Sequence, residues 1–229
     1  MYRTLNNGAK MQDEVYWAQI YNNTVSNSSW LKNNNFSPGR WAVGYPFLYT
    51  MYRVLDEMHP KRILELGMGQ TTKMIGQYVA YNSDVEHIVV EQDKDWIKFF
   101  TGISPLPTKS NVIHCDYEYV PYKSEKNVRI FSNFTDKLQD KSFDFICIDA
   151  PIGSYRYSRI DILNILPQCL SESFILMLDD YNRTGEQNTM REITHCLEQN
   201  GITYDTGVYH GEKDVVLLAS ENNKYFCSM

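Results

Sequence analysis

The sequence predicts one α/β domain built on a mostly parallel seven-stranded sheet that ends in an antiparallel hairpin. Three observations carry that expectation. Short apolar strands alternate with amphipathic helices, as parallel sheets with crossover helices require. The apolar run Arg62–Leu66 opens directly into two closely spaced glycines, Gly67 and Gly69, where the backbone must turn sharply and let a ligand approach. The last two predicted strands, 202–209 and 214–220, are joined by a connection too short for a crossover, so they pair antiparallel.

The totals bound the rest. A chain of 229 residues with 43% hydrophobic content forms one core of ordinary size. The formal charge of −6 and the lack of a Lys/Arg cluster argue against a nucleic-acid surface working by phosphate neutralisation. Five scattered cysteines with no Cys-x-x-Cys spacing read as reduced core thiols. No apolar run reads as a signal peptide or a membrane span, so a cytoplasmic protein is expected.

In chain order, residues 1–44 read as a helical cap or lid segment and 45–229 as the main domain. The cap holds a helix from Asp13, and the loop 36–46 combines turn residues with Trp41, Tyr45 and Arg40 in a composition suited to folding over a ligand. A helix follows from Pro46, carrying Phe47, Met51, Val54, Leu55 and Met58, and stops at His59-Pro60. Strand 62–66, a helix from Thr71 or Thr72, strand 86–91 and a helix opened by Asp93 come next. Residues 111–116 read as a strand, and the Tyr-rich segment after it reads with 127–131 as an added hairpin. Strand 143–149, a helix from Arg159 to Cys169, strand 173–178 and a helix from Glu186 to Gln199 complete the alternation.

The glycine loop reads Glu65-x-Gly-x-Gly-x-x-Thr72, with Thr72 where a dinucleotide fold needs a third glycine. Glu91 ends the next strand, placed to accept from two ribose hydroxyls. This arrangement resembles the class I, Rossmann-like methyltransferases that use S-adenosylmethionine, over roughly residues 45–220. The resemblance implies that Glu65, Gly67 and Gly69 line the amino-acid half of that cofactor. It further implies that Gln70, Thr71 and Thr72 supply donors, that Glu91 holds the ribose, and that Asp149 borders the site. His114, Asp116 or residues near Asn133 would touch the adenine.

Two phrases at predicted strand ends point to the acceptor: 143–153 with Arg159 downstream, and Leu178-Asp-Asp-Tyr-Asn-Arg-Thr-Gly-Glu186. Asp149, Asp179 and Asp180 should converge on one crevice. The spacing resembles the metal-dependent O-methyltransferases of catechol and macrolide-sugar type, which implies Mg2+ or another divalent cation on Asp149, Asp179 and Asp180. Pro151 stands where the sugar enzymes carry a second acid. The wording is also similar to the plant methyltransferases that act on glucuronic acid of xylan. That resemblance implies Asp149 or Asp180 as base and Arg183 beside them. It gives Arg159 and Arg183 an acidic sugar's carboxylate to pair with, and makes Tyr155, Tyr157 and Tyr181 flat faces for a ring.

The expected function is therefore O-methylation of a sugar or polysaccharide precursor, on a small-molecule or glycan acceptor. Metal-dependent small-molecule methylation and a non-catalytic cofactor-binding scaffold are the alternatives. The sequence is compatible with a homo-oligomer.

Overall fold

The computed structural model describes the chain from Tyr2 to Met229, with side chains from Lys10 onward. In chain order the elements are α1 (Tyr2–Val25), α2 (Tyr45–Arg53), β1 (Arg62–Leu66), α3 (Gln70–Tyr81), β2 (Glu86–Glu91), α4 (Lys94–Ile103) and β3 (Ser110–His114). Then come β4 (Tyr117–Tyr122), β5 (Glu125–Phe131), α5 (Phe134–Leu138), β6 (Phe143–Ile148), β7 (Leu170–Leu178), α6 (Thr184–Gln199), β8 (Tyr204–Tyr209) and β9 (Val215–Ser220).

The seven strands lie in the order β3-β2-β1-β6-β7-β9-β8, with β9 antiparallel to both neighbours and the rest parallel. The sheet is therefore the one the sequence predicts. Chain order reverses between β1 and β6, so a crevice opens beyond their carboxyl ends. Gly67 leaves β1 and Asp149 leaves β6 at that point, and their backbones are tied by Asp149 N donating to Leu66 O at 2.9 Å.

Strand alternation builds two cores. Ile63, Phe145, Ile175 and Leu217 face α1–α3, against Tyr21, Phe47, Met51, Met74 and Ile75. Leu64, Ile146, Leu176 and Leu218 face the opposite layer, against Phe134, Leu138, Ile162, Met190 and Ile193. The segment expected as a cap adds Tyr21, Val25, Trp30, Leu31 and Val43 to the first core, so it is packed into the body rather than laid on it. Among the described residues no helix is long and apolar enough to cross a membrane.

Local chemistry sets the helix ends. Asp93 accepts from Asp95 N and Trp96 N at 3.0 and 2.9 Å, capping α4. The helix after Pro46 passes through one π-type turn, Val54–Met58, and ends where His59 turns left-handed (φ 55) before Pro60. Gly201 (φ +67) closes α6.

One expectation needs correction. The helix predicted over 159–169 is only a 3-10 turn, Ile160–Asn164, because Arg159 is left-handed (φ 61) and Pro167 bars helical continuation. The added hairpin expected after β3 is present as a separate two-stranded antiparallel sheet, β4 with β5.

Candidate active site

A cavity of about 660 Å³ lies beyond the ends of β1, β2 and β6. Its floor is Gly67–Thr71 and its sides are Glu91–Asp93 and Asp149–Ala150, while the loop 39–43 forms a rim.

Gly67 and Gly69 serve different needs. Gly67 has φ +99, and a Cβ there would fall 2.9 Å from the Ala150 Cβ, so the turn itself demands glycine. Gly69 is extended, and a Cβ on it would meet nothing within 4 Å. Gly69 lines the cavity floor, where the protein leaves that space open.

Thr72 shows why no third glycine is present. Its hydroxyl oxygen accepts from Gly69 N at 2.9 Å, completing the first turn of α3. Fully buried and turned away from the cavity floor, it is not the ligand donor expected, whereas Gln70 and Thr71 do line the floor. Gln70 Oε1 also accepts from Ser37 N at 3.4 Å, linking floor to rim.

Glu91 lines the cavity while its carboxylate braces the loop. One oxygen accepts from Met68 N at 2.9 Å, the other from Gln92 N and Asp93 N at 2.9 and 3.0 Å. Burial pushes its pKa up, against the pull of these amides. Oε1 is thereby filled by two amides, whereas Oε2 keeps a second lone pair for a hydroxyl.

Glu65 is not at the cavity. Alternation along β1 puts it on the face of Ile63, where its Oε2 lies 3.1 Å from His87 Nε2, and His87 Nδ1 lies 3.1 Å from Ser110 Oγ. The expectation that Glu65 lines the cofactor's amino-acid half is thus corrected. His114 is turned to Gln92 O at 2.9 Å. The aromatic walls are instead Trp96, fixed by Nε1 donating to Met68 O at 2.9 Å, and Tyr117, with Arg129 stacked 4.9 Å over its ring.

Asp149, Asp179 and Asp180 converge as predicted: one oxygen of each lies within 4.8 Å of the others. Arg159 does not face an acceptor. It is 1% exposed, its Nη2 donating to Asp149 Oδ1 at 3.0 Å and Asp180 Oδ2 at 2.6 Å, and its Nη1 to Asp179 O at 2.6 Å. Its expected role on a substrate carboxylate is corrected, because both Nη groups are spent on internal acids and carbonyls and the Nε is buried. Burial opposes that charge, but Asp149, Asp179, Asp180 and Glu186 together raise its pKa.

Lys213 is a second internal cation that sequence reasoning missed. Its Nζ lies 3.6 Å from Asp179 Oδ2 and 3.7 Å from Asp180 Oδ1, and donates to Ala42 O at 2.9 Å. Topology contained the signal: β9 runs antiparallel to β7 with Val216 opposite Leu178, so residues just before β9 meet those just after β7.

Burial and the charge of Asp179 push the Asp149 pKa well up, although Arg159 and Lys213 pull the other way. Burial and Asp180 likewise raise Asp179, neither of whose oxygens has a hydrogen bond. A divalent cation would suit three carboxylates. Here Arg159 and Lys213 already lie between them, so the donor set does not fit a metal without displacing protein cations.

A second opening of about 600 Å³ shares Ile152 with the cavity and is lined by Ser154, Tyr155, Asn182, Arg183 and Glu186 among others. Arg183 pairs with Asp180 at 2.9 Å yet keeps 43% of its side chain exposed. Tyr155 is 80% exposed. Tyr157 instead packs nearly at right angles to Tyr122, and Tyr181 packs, half-buried, against the second core.

No protein-family model matches the chain, and no curated protein matches it in sequence. Solved structures do match in shape. A proposed caffeoyl-CoA O-methyltransferase from Staphylococcus aureus superposes with TM-score 0.55 at 14% identity, over 91% of this chain and 99% of that one. An O-methyltransferase from Bacillus cereus, solved with SAH, gives 0.53 at 13%, over 93% and 92%. TomG, an O-methyltransferase of tomaymycin synthesis from Streptomyces achromogenes solved with SAM, gives 0.58 at 11%, over 90% and 98%. The chain has the Rossmann-like fold of these proteins.

Proposed function

We propose that the chain is an S-adenosylmethionine-dependent O-methyltransferase acting on a hydroxyl of a sugar or polysaccharide precursor. The observation that carries the reading is the cavity at the strand reversal. There Gly69 leaves room at the floor, Glu91 is fixed at one side and Asp149 faces the other. A dinucleotide is disfavoured by Thr72, which caps the helix where a third glycine would let a pyrophosphate approach.

Gly67, Gly69, Gln70 and Thr71 would cradle the amino-acid half of the donor, Glu91 the ribose, and Trp96 and Tyr117 the adenine. When bound, S-adenosylmethionine supplies an electrophilic methyl group. Asp149, the acid of the trio that lines the cavity, accepts the proton of the acceptor hydroxyl. Asp180 is encumbered by Arg159 and Arg183 and acts by holding them. Most of the remaining rate comes from positioning and from exclusion of water by the rim loop.

A sugar acceptor is supported by two exposed rings at the two openings, Trp41 at 84% and Tyr155 at 80%, with Ile152 between. Arg183, rather than Arg159, has a guanidinium edge open to an acidic sugar. Calorimetry with S-adenosylhomocysteine tests the donor: a silent titration, with heat on adding NAD instead, sinks it. A mass gain of one methyl on a uronic-acid glycoside tests the acceptor.

The catechol-type, metal-dependent reading is favoured by the three converging carboxylates. Arg159 and Lys213 stand against it, and activity that survives EDTA would remove it.

A further inference from the structure

The acid cluster carries more order than three carboxylates at strand ends would have alone. Lys213 sits in the turn between β8 and β9, and that turn is gripped from two sides. From α1, Glu14 Oε2 accepts from Glu212 N at 3.1 Å and Trp17 Nε1 donates to His210 O at 2.7 Å. From the loop after β7, Tyr181 N donates to Asp214 O at 2.8 Å. The Lys213 side chain is thereby aimed inward, 13% exposed, toward Asp179, Asp180 and the Ala42 carbonyl.

We propose that the Lys213 ammonium, with the Arg159 guanidinium, occupies the place of a divalent cation among Asp149, Asp179 and Asp180, and latches the rim loop to them through Ala42. Asp149, Asp179, Asp180 and Glu186 against Arg159, Lys213 and Arg183 leave one negative charge in the cluster, where the three aspartates alone would leave three. A hard dication entering the same space would have to expel the ammonium from between Asp179 and Asp180, and would lie beside a guanidinium that cannot deprotonate. The fixed cation also serves the rim. Ala42 belongs to the loop that borders the cavity, so the group that balances the acids also sets the height of the wall above them. Its role toward an acceptor hydroxyl rests on the transferase reading, whereas its place among the acids does not.

Lys213 acts here as a positioning residue, and Mn2+ is the probe that reads its place directly. Titrate Mn2+ into the full chain by electron paramagnetic resonance, using wild type, Asp179→Asn, Lys213→Arg, Lys213→Met and Lys213→Met/Asp179→Asn, with S-adenosylhomocysteine calorimetry on each. Wild type and Lys213→Arg should leave Mn2+ free to about 1 mM. Lys213→Met should bind it at least about tenfold more tightly, a gain of about 1.4 kcal/mol, and the added Asp179→Asn should erase the gain. Mn2+ bound by wild type and released by Asp179→Asn overturns the proposal. So does a Lys213→Met chain that retains the wild-type heat with S-adenosylhomocysteine yet gains no Mn2+. Should Lys213→Met fail to fold, the wild-type titration against Asp179→Asn alone decides. A wild type silent toward S-adenosylhomocysteine refutes the transferase reading and leaves the Mn2+ result standing.

Discussion

Gly67 lies so close to Ala150 that a Cβ on it would come within 2.9 Å of the Ala150 Cβ, while a Cβ on Gly69 would meet nothing within 4 Å. The packing of the loop therefore demands glycine at 67 and makes no such demand at 69. Gly67→Ala should lower stability by about 1–3 kcal/mol, the scale of a residue forced into a disfavoured backbone region, with the Ala150 contact adding to it. Gly69→Ala should leave the denaturation midpoint unchanged and weaken S-adenosylhomocysteine by about tenfold or more. Equal loss of stability in both variants would show that position 69 is also a demand of the fold.

Glu91 accepts three backbone amides in the loop after β2 and the loop after β1. Glu91→Gln keeps the shape but turns an amide NH2 toward amides that donate. It should cost about 1–3 kcal/mol, the penalty for leaving buried donors unpaired, together with a marked loss of nucleoside affinity. Denaturant melts and calorimetry on the same sample separate the two effects. A variant of unchanged stability would mean that the loop does not depend on the carboxylate.

The legibility of this chain follows the range of the interaction concerned. Strand β2 was readable to the residue, because Glu86–Glu91 is bounded by its own composition. The final hairpin was readable because a short connection permits only one pairing. The convergence of Asp149, Asp179 and Asp180 was readable because each ends a strand of a parallel sheet. Arg159 and Glu65 were not, since which way a side chain turns depends on partners such as Asp180 and His87 that are distant in sequence. Lys213 hid in a turn whose place depends on strand order, and the 159–169 helix failed because Pro167 outweighs the apolar pattern around it.

Asp161 supplies a pH handle outside the cavity. Its Oδ1 accepts from Phe131 N at 2.6 Å and its Oδ2 is buried without a partner, with Glu118 of β4 adding negative charge nearby. Burial pushes its pKa up to about 7. The folded state thus holds a proton that the unfolded chain gives up near its ordinary value. The folded state is favoured by this group at low pH, loses that advantage as pH rises through the ordinary value toward 7, and changes no further above. Asp161→Asn keeps the oxygen facing Phe131 N and abolishes the titration. Between about pH 4 and pH 7 it should gain on wild type by on the order of 4 kcal/mol. Parallel stability curves for the two proteins across that range would rule out a buried, proton-holding Asp161.

Arg159 is the hub on which the strand ends after β6 and β7 meet, bonded to Asp149, Asp180 and two backbone carbonyls and lying 3.6 Å from Glu186. Removing one partner from a buried ion cluster leaves uncompensated charge, at a cost of about 3–5 kcal/mol. Arg159→Met should therefore unfold well below wild type. Lysine cannot rescue it fully, because a single ammonium cannot reproduce a fork that spans Asp149, Asp180 and the Asp179 carbonyl at once. Arg159→Lys should recover part of the stability, yet leave the carboxylates less well held and weaken any methyl transfer through Asp149 more than it weakens S-adenosylhomocysteine binding. A fully active, fully stable Arg159→Lys would mean that the cluster needs only charge at this point, and that the planar fork contributes nothing to holding the acids in register.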